Sequence, residues 1–143
     1  MLSIKIANAV PLPDMQLLVF FQNGVVKKFD VKPIMKDYPE FEALKESALF
    51  QMVKVEPGGY GVSWNEDLDC SEGEIWENGV DVPLSMEDFV SFTQHEIVNT
   101  NEVADMLGCT RQNVAAAIKS GHIHPVKSYQ RTKLFLRSDV ARA

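Results

Sequence analysis

The chain has 143 residues, 45% of them hydrophobic and 24% charged, with a formal net charge of −6. That length and composition fit soluble globular material: one compact domain or two very small ones, with a modest core. No apolar run approaches the roughly 18 residues that span a bilayer, and MLSIKIANAVPLPDM lacks the basic, apolar and small-residue sections of a secretory signal, so the expected compartment is the cytoplasm.

The charge is unevenly spread. Residues 1–96 hold seven lysines, no arginine and 17 acidic residues, a net of −10, whereas residues 97–143 hold three lysines, four arginines and three acidic residues, a net of +4. A basic tail on an acidic body is what a nucleic-acid-facing module would show. Only Cys70 and Cys109 occur, without CxxC or Cys/His ligand spacing. Neither a disulfide framework nor a zinc site is indicated, and both thiols are expected to be reduced and buried.

In chain order, LLVFF (Leu17 to Phe21) is a continuous strand-forming run followed by Asn23-Gly24 and VVKKFDV. The spacing predicts an antiparallel hairpin, closed by a type I′ turn with both central residues at positive φ. Lys32 to Leu49 carries Pro39 at a helix start, with Phe41, Leu44 and Ala48 at helical spacing, which predicts a short helix across the strands. MVKVE and YGVSW flank Pro57-Gly58-Gly59 as a second hairpin, with Tyr60, Val62 and Trp64 on one face opposite Val53 and Val55. The acidic run NEDLDCSEGEIWE places Asp67, Asp69 and Ser71 at alternate positions, but a calcium loop needs Gly sixth and Glu twelfth where this chain has Glu72 and Asn78. It reads as a solvated turn over Trp64 and Leu68.

These segments, LLVFFQNGVVKKFDVKPIM and LKESALFQMVKVEPGGYGVSWNEDLDCS, together resemble the bacterial domain of unknown function 2442 family over roughly residues 5 to 80. The resemblance implies a fold but no activity. Members resemble companions of toxin genes or are fused to DNA-binding modules, so the family implies an antitoxin-like or regulatory role.

In PLSMEDF, Ser85 and Asp88 have capping-box spacing, and Phe89 and Phe92 share a face of the predicted connector helix. The stretch TNEVADMLGCTRQNVAAAIKSGHI (100–123) then joins two helical patterns. Val103, Ala104 and Leu107 share one face after a cap at Asn99 or Thr100, with Glu102 in the first turn. Gly108 ends the first helix, Thr110 caps the second, and Val114, Ala117 and Ile118 form its buried face. Helices joined so tightly cross steeply, and Ala104 leaves room for the second helix.

With those residues inward, Arg111, Gln112, Asn113, Ala115, Ala116 and Lys119 must face outward, on a positive surface free of acid. Arg111 can fork to guanine O6 and N7, Gln112 or Asn113 can pair with adenine, and the small Ala115 and Ala116 permit close approach to a thymine methyl. Thr110 at the helix start and Lys119 suit phosphates. Next, HIHPVKSYQRTKLFLRSDV reads as a two-stranded wing with a turn near Ser128 to Arg131, carrying Lys127, Arg131, Lys133 and Arg137. Ser138 is the expected cap of a final helix.

Together, EVADMLGCTRQNVAAAIKSGHI and PVKSYQRTKLFLRSDV resemble the excisionase and MerR-type winged helix-turn-helix family over about residues 99 to 140. The resemblance places Arg111 and Gln112 at the start of the recognition helix and Lys127 to Lys133 in the wing beside the phosphate backbone. The chain departs from the family in Ala115 to Ala117, where members often carry aromatic or basic residues.

His122 and His124 would share a strand face, but no third ligand stands near them, so they read as wing residues and not as a metal site. No catalytic motif is present. The expectation is an α+β protein that is no enzyme and needs no cofactor: an acidic domain over 1–82, a connector helix over 83–97 and a winged helix-turn-helix over 98–143. It binds duplex DNA as a homodimer and regulates transcription or acts as an antitoxin-like autorepressor, with a toxin-like protein as the partner of its first domain. Two alternatives from other classes are a protein-interaction module without DNA binding and a small enzyme.

Overall fold

The computed structural model describes residues 4–142, so residues 1–3 and 143 of the expected domain spans lie outside the described residues. The protein is α+β and divides into two compact units, Met1–Met86 and Glu87–Ala143. Drawn at that division the charge asymmetry is milder, −7 against +1, because Glu87, Asp88 and Glu96 fall in the second unit.

In the first unit β1 (Ile6–Leu12), β2 (Gln16–Phe21) and β3 (Val26–Asp30) precede two 3-10 segments (Lys32–Lys36 and Pro39–Lys45) and a single α-turn, α1 (Ser47–Phe50). Then come β4 (Lys54–Val55), β5 (Gly61–Ser63), β6 (Asp69–Ser71), α2 (Glu72–Asn78) and β7 (Val80–Val82). One antiparallel sheet has the order β1-β2-β3-β7, the other β4-β5-β6. Strand β2 is central, and Leu17, Val19 and Phe21 point into a core that also holds Phe29, Phe41, Leu44, Trp64 and Ile75. Each such side chain contributes about 1.5–3 kcal/mol by leaving water.

The β2–β3 hairpin forms as expected, but with a different turn. Gly24 N–H donates to Phe21 O (3.0 Å), Phe21 N–H donates to Val25 O (2.9 Å), and only Gly24 of the Asn23-Gly24 pair has positive φ (92°). This is a three-residue loop with glycine in the left-handed position. Asn23 instead accepts from Val25 N–H through its side chain (3.0 Å). Two consecutive positive φ values occur at Asp14 and Met15, in the β1–β2 loop.

The helix expected over Lys32 to Leu49 is replaced by 3-10 turns. Phe41 and Leu44 are buried three residues apart, matching the 3-10 period, while Ala48 is exposed. In the second hairpin Val55 pairs with Val62 as read, but Tyr60 precedes the strand and is 59% exposed, with the Lys5 ammonium 4.9 Å from its ring centre. The acidic run does turn over buried Trp64 and Leu68, held by Asn65 Oδ1, which accepts from Asp67 and Leu68 N–H (both 2.9 Å). Its second half is not turn: it forms β6 and then α2, capped by Ser71, whose hydroxyl accepts from Glu74 N–H (3.1 Å).

The second unit comprises α3 (Met86–Glu96), which begins at the division, β8 (Ile97–Asn99), α4 (Thr100–Leu107), α5 (Arg111–Ser120), β9 (Lys127–Tyr129), β10 (Thr132–Leu136) and α6 (Arg137–Ala141). Its sheet has the order β8-β10-β9, so the expected two-stranded ribbon gains a third strand from the segment before α4. The core is Val98, Val103, Ala104, Val114, Ile123, Phe135 and Val140. No residue of α3 is fully buried, and Phe92 is 55% exposed. No described helix is long and apolar enough to cross a membrane.

Candidate nucleic-acid interface

Local caps fix the two helices of the candidate interface. Asn99 Oδ1 accepts from Glu102 N–H (2.9 Å) while Glu102 Oε1 accepts from Asn99 N–H (3.1 Å), a reciprocal capping box. Helix α4 ends at Gly108 (φ 62°, ψ 38°), a left-handed conformation that a side chain resists, and Cys109 N–H closes back on Ala104 O (3.0 Å). Two residues later Thr110 restarts the chain as α5, its hydroxyl accepting from Asn113 N–H (3.1 Å).

Packing then sets the orientation of α5. Val103, Ala104 and Val114 are buried in one cluster, and Leu107, Ala117 and Ile118 pack partly buried against it. Arg111, Gln112, Asn113, Ala115, Ala116 and Lys119 are all exposed, as is Thr110. The outer face therefore carries two cations, two amides and two methyl groups, and no carboxylate.

Residues Lys127, Arg131 and Lys133 lie on the β9–β10 hairpin, whose two-residue turn is Gln130-Arg131 with Gln130 at φ 54°. Register separates them. Lys127 pairs with Leu134, while Lys133 pairs with Ser128 and shares the face of fully buried Phe135. Lys127 and Arg131 are exposed, whereas Lys133 is half-buried on the opposite face. Tyr129, not among the residues expected at the interface, is 70% exposed on the face of Lys127 and directly precedes the turn. Its signal was there in KSYQR, an aromatic flanked by cations at alternate positions.

Among the described residues, none of Arg111, Lys119, Lys127, Arg131 and Lys133 is in an ion pair. The other two arginines are used internally. Arg137, read from sequence as part of the wing surface, donates through Nε to His95 O (2.7 Å) and lies 3.7 Å from Met106 Sδ, joining the end of α3 to α6. Arg142 meets Asp139 at 3.4 Å.

Three of the unit's carboxylates are likewise tied to backbone. Besides Glu102, Glu96 accepts from Ser138 N–H (2.8 Å), so the cap of α6 is Glu96 and not Ser138. Asp139 accepts from His124 N–H (3.0 Å). Hydrogen bonds from Ser138 hold the Glu96 carboxyl below its usual range, and the His124 amide does the same for Asp139.

His122 and His124 lie outside any strand, in the bend before β9; the His122 Nδ1 is 2.6 Å from Ser120 Oγ. Among the described residues no three His, Cys, Asp or Glu side chains are grouped to hold a metal ion. Cys109, in the helix turn, is half-buried, so only Cys70 is a fully buried thiol.

Residues 6–81, just over half of the chain, match the family model described as Protein of unknown function (DUF2442). The chain belongs to this family. In this DUF2442 protein residues 97–143 also match the model of an excisionase-like helix-turn-helix domain, so both resemblances read from the sequence hold. A helix-turn-helix domain is the mark of a DNA-binding regulator, and neither family is of an enzymatic kind. No curated protein and no solved structure matches the chain.

Proposed function

We propose that this DUF2442 protein is a sequence-specific DNA-binding regulator whose α5 lies in the major groove of duplex DNA. The observation that carries the reading is the exposed face of α5, which presents Arg111, Gln112 and Asn113 at its first turn with no acid and no internal ion pair. Arg111 suits guanine, Gln112 or Asn113 suits adenine, and Ala116 allows the helix to approach a thymine methyl. Thr110 and Lys119 flank the groove at the phosphates. The β9–β10 hairpin acts as a wing, with Lys127 and Arg131 on the backbone and the Tyr129 hydroxyl able to join them. Lys133, on the opposite face, is set apart from that contact.

One recognition helix buries little surface, and useful affinity comes from two copies on related half-sites, so the working form is a homodimer in the cytoplasm. Autorepression in the manner of an antitoxin, with a protein partner on the first unit, fits this arrangement. Charge reversal tests it: Arg111→Glu with Lys119→Glu abolishes retention of duplex DNA by the full chain while its circular dichroism and melting are unchanged. Undiminished retention by the folded double variant would remove α5 from the interface.

A further inference from the structure

In the first unit a cleft of about 870 Å³ opens between the 3-10 segments after β3 and the β6–α2 corner. Its floor is apolar: Phe29 and Phe41 are 2% and 6% exposed. At its rim Tyr38 is 57% exposed and meets Phe41 edge-on at 6.4 Å between ring centres. Five carboxylates line it, those of Asp37, Glu40, Asp67, Asp69 and Glu74, and no lysine or arginine does. A sixth, Asp30, is held by Lys32 at 2.9 Å. The field reaches the wall: the Cys70 thiol is pushed up to about 12, mainly by burial and further by Glu74 and Asp69.

The occupant must match both features. A divalent ion matches neither, since among the described residues no three carboxylates are close enough to share one. A chain bearing several separated cations matches the carboxylates. Arginine matches the aromatic rim as well, because a guanidinium binds a carboxylate through two parallel hydrogen bonds and stacks on a tyrosine ring. We infer that this cleft docks an arginine-bearing segment of a protein partner, its guanidinium groups on the carboxylate walls and against Tyr38. Docking of this kind rests on the proposed protein partner of the first unit, and neither α5 nor DNA binding enters it.

The test uses the full chain and a short fluorescein-labelled peptide alternating arginine with alanine, followed by anisotropy. The control peptide carries citrulline, which keeps the shape and removes the charge. Saturable binding of the arginine peptide alone is expected. Replacing three wall charges (Asp37→Asn, Glu40→Gln, Asp67→Asn) weakens it by about tenfold, in line with exposed ion pairs. Truncating the rim with Tyr38→Ala weakens it roughly threefold.

The same charge change outside the cleft (Glu56→Gln, Glu77→Gln, Glu87→Gln) leaves binding unaltered. Equal loss in that control would make the attraction a general field and overturn the inference. So would equal binding of the citrulline peptide, full competition by spermidine at matched charge, or no saturable binding. Should the triple cleft variant melt early, the Tyr38→Ala result decides, because that exposed side chain can be removed without opening the core.

Discussion

Removing one cation at a time from the hairpin separates contact with phosphate from mere positive charge. On the proposed docking, three exposed cations, Lys119, Lys127 and Arg131, would lie beside the DNA backbone in each protomer. Each phosphate neutralised contributes about −0.9 to the slope of log affinity against log salt, so three give about −2.7 per protomer. Raising salt from about 50 to about 200 mM then weakens binding about 40-fold per protomer, and about 1,800-fold when two protomers engage together. Lys127→Gln lowers the per-protomer slope to about −1.8, while Lys133→Gln, on the opposite face of the hairpin, leaves it unchanged. Anisotropy of a labelled random-sequence duplex, titrated with each variant across a salt series, reads the slopes directly. Equal flattening by both substitutions, or by neither, would refute the placement of the hairpin.

Other consequences concern stability and reactivity. Gly108→Ala costs about 1 kcal/mol, the penalty of a left-handed residue, because a Cβ there meets nothing within 4 Å; thermal melting of the second unit measures it. Gly61→Ala destabilises the first unit more, since its φ is 143° and its Cβ would lie 2.4 Å from Cys70 O. Glu96 and Asp139 have lowered carboxyl pKa values, so their contribution is full above the unfolded carboxylate range and disappears as pH falls through the folded values. Glu96→Gln accordingly flattens the acid limb of the second unit's melting profile. Ellman's reagent on the native chain reacts first with half-buried Cys109, while Cys70, buried and with its thiol near 12, reacts only on unfolding.

The helix pair was legible because its boundaries rest on residues with a local backbone role. Asn99, Gly108 and Thr110 each cap through their own side chain or their own φ, and Val103, Ala104 and Val114 then orient the faces. What escaped depends on distant partners. Strand β8 is three residues long and exists because β10 pairs with it, and β6 and β7 are equally short. Strand β1 carries Pro11 and a register shift between Ile6 and Asn8 that breaks the period-two pattern. Arg137 shows the same limit at a single residue: its sequence neighbours resemble a basic wing, yet its partner is a carbonyl 42 positions earlier. Lys133 could not be told from Lys127 without the hairpin register.

The proposed function turns on whether the outward face of α5 reads base sequence. Selection of fragments retained by the full-length protein from random duplex DNA, at two salt concentrations, tests it most directly. The expected result is an enriched motif with two-fold symmetry that persists at the higher salt and is lost on Arg111→Ala. Retention without any enriched motif, vanishing as salt rises, would contradict it and leave only attraction to phosphate.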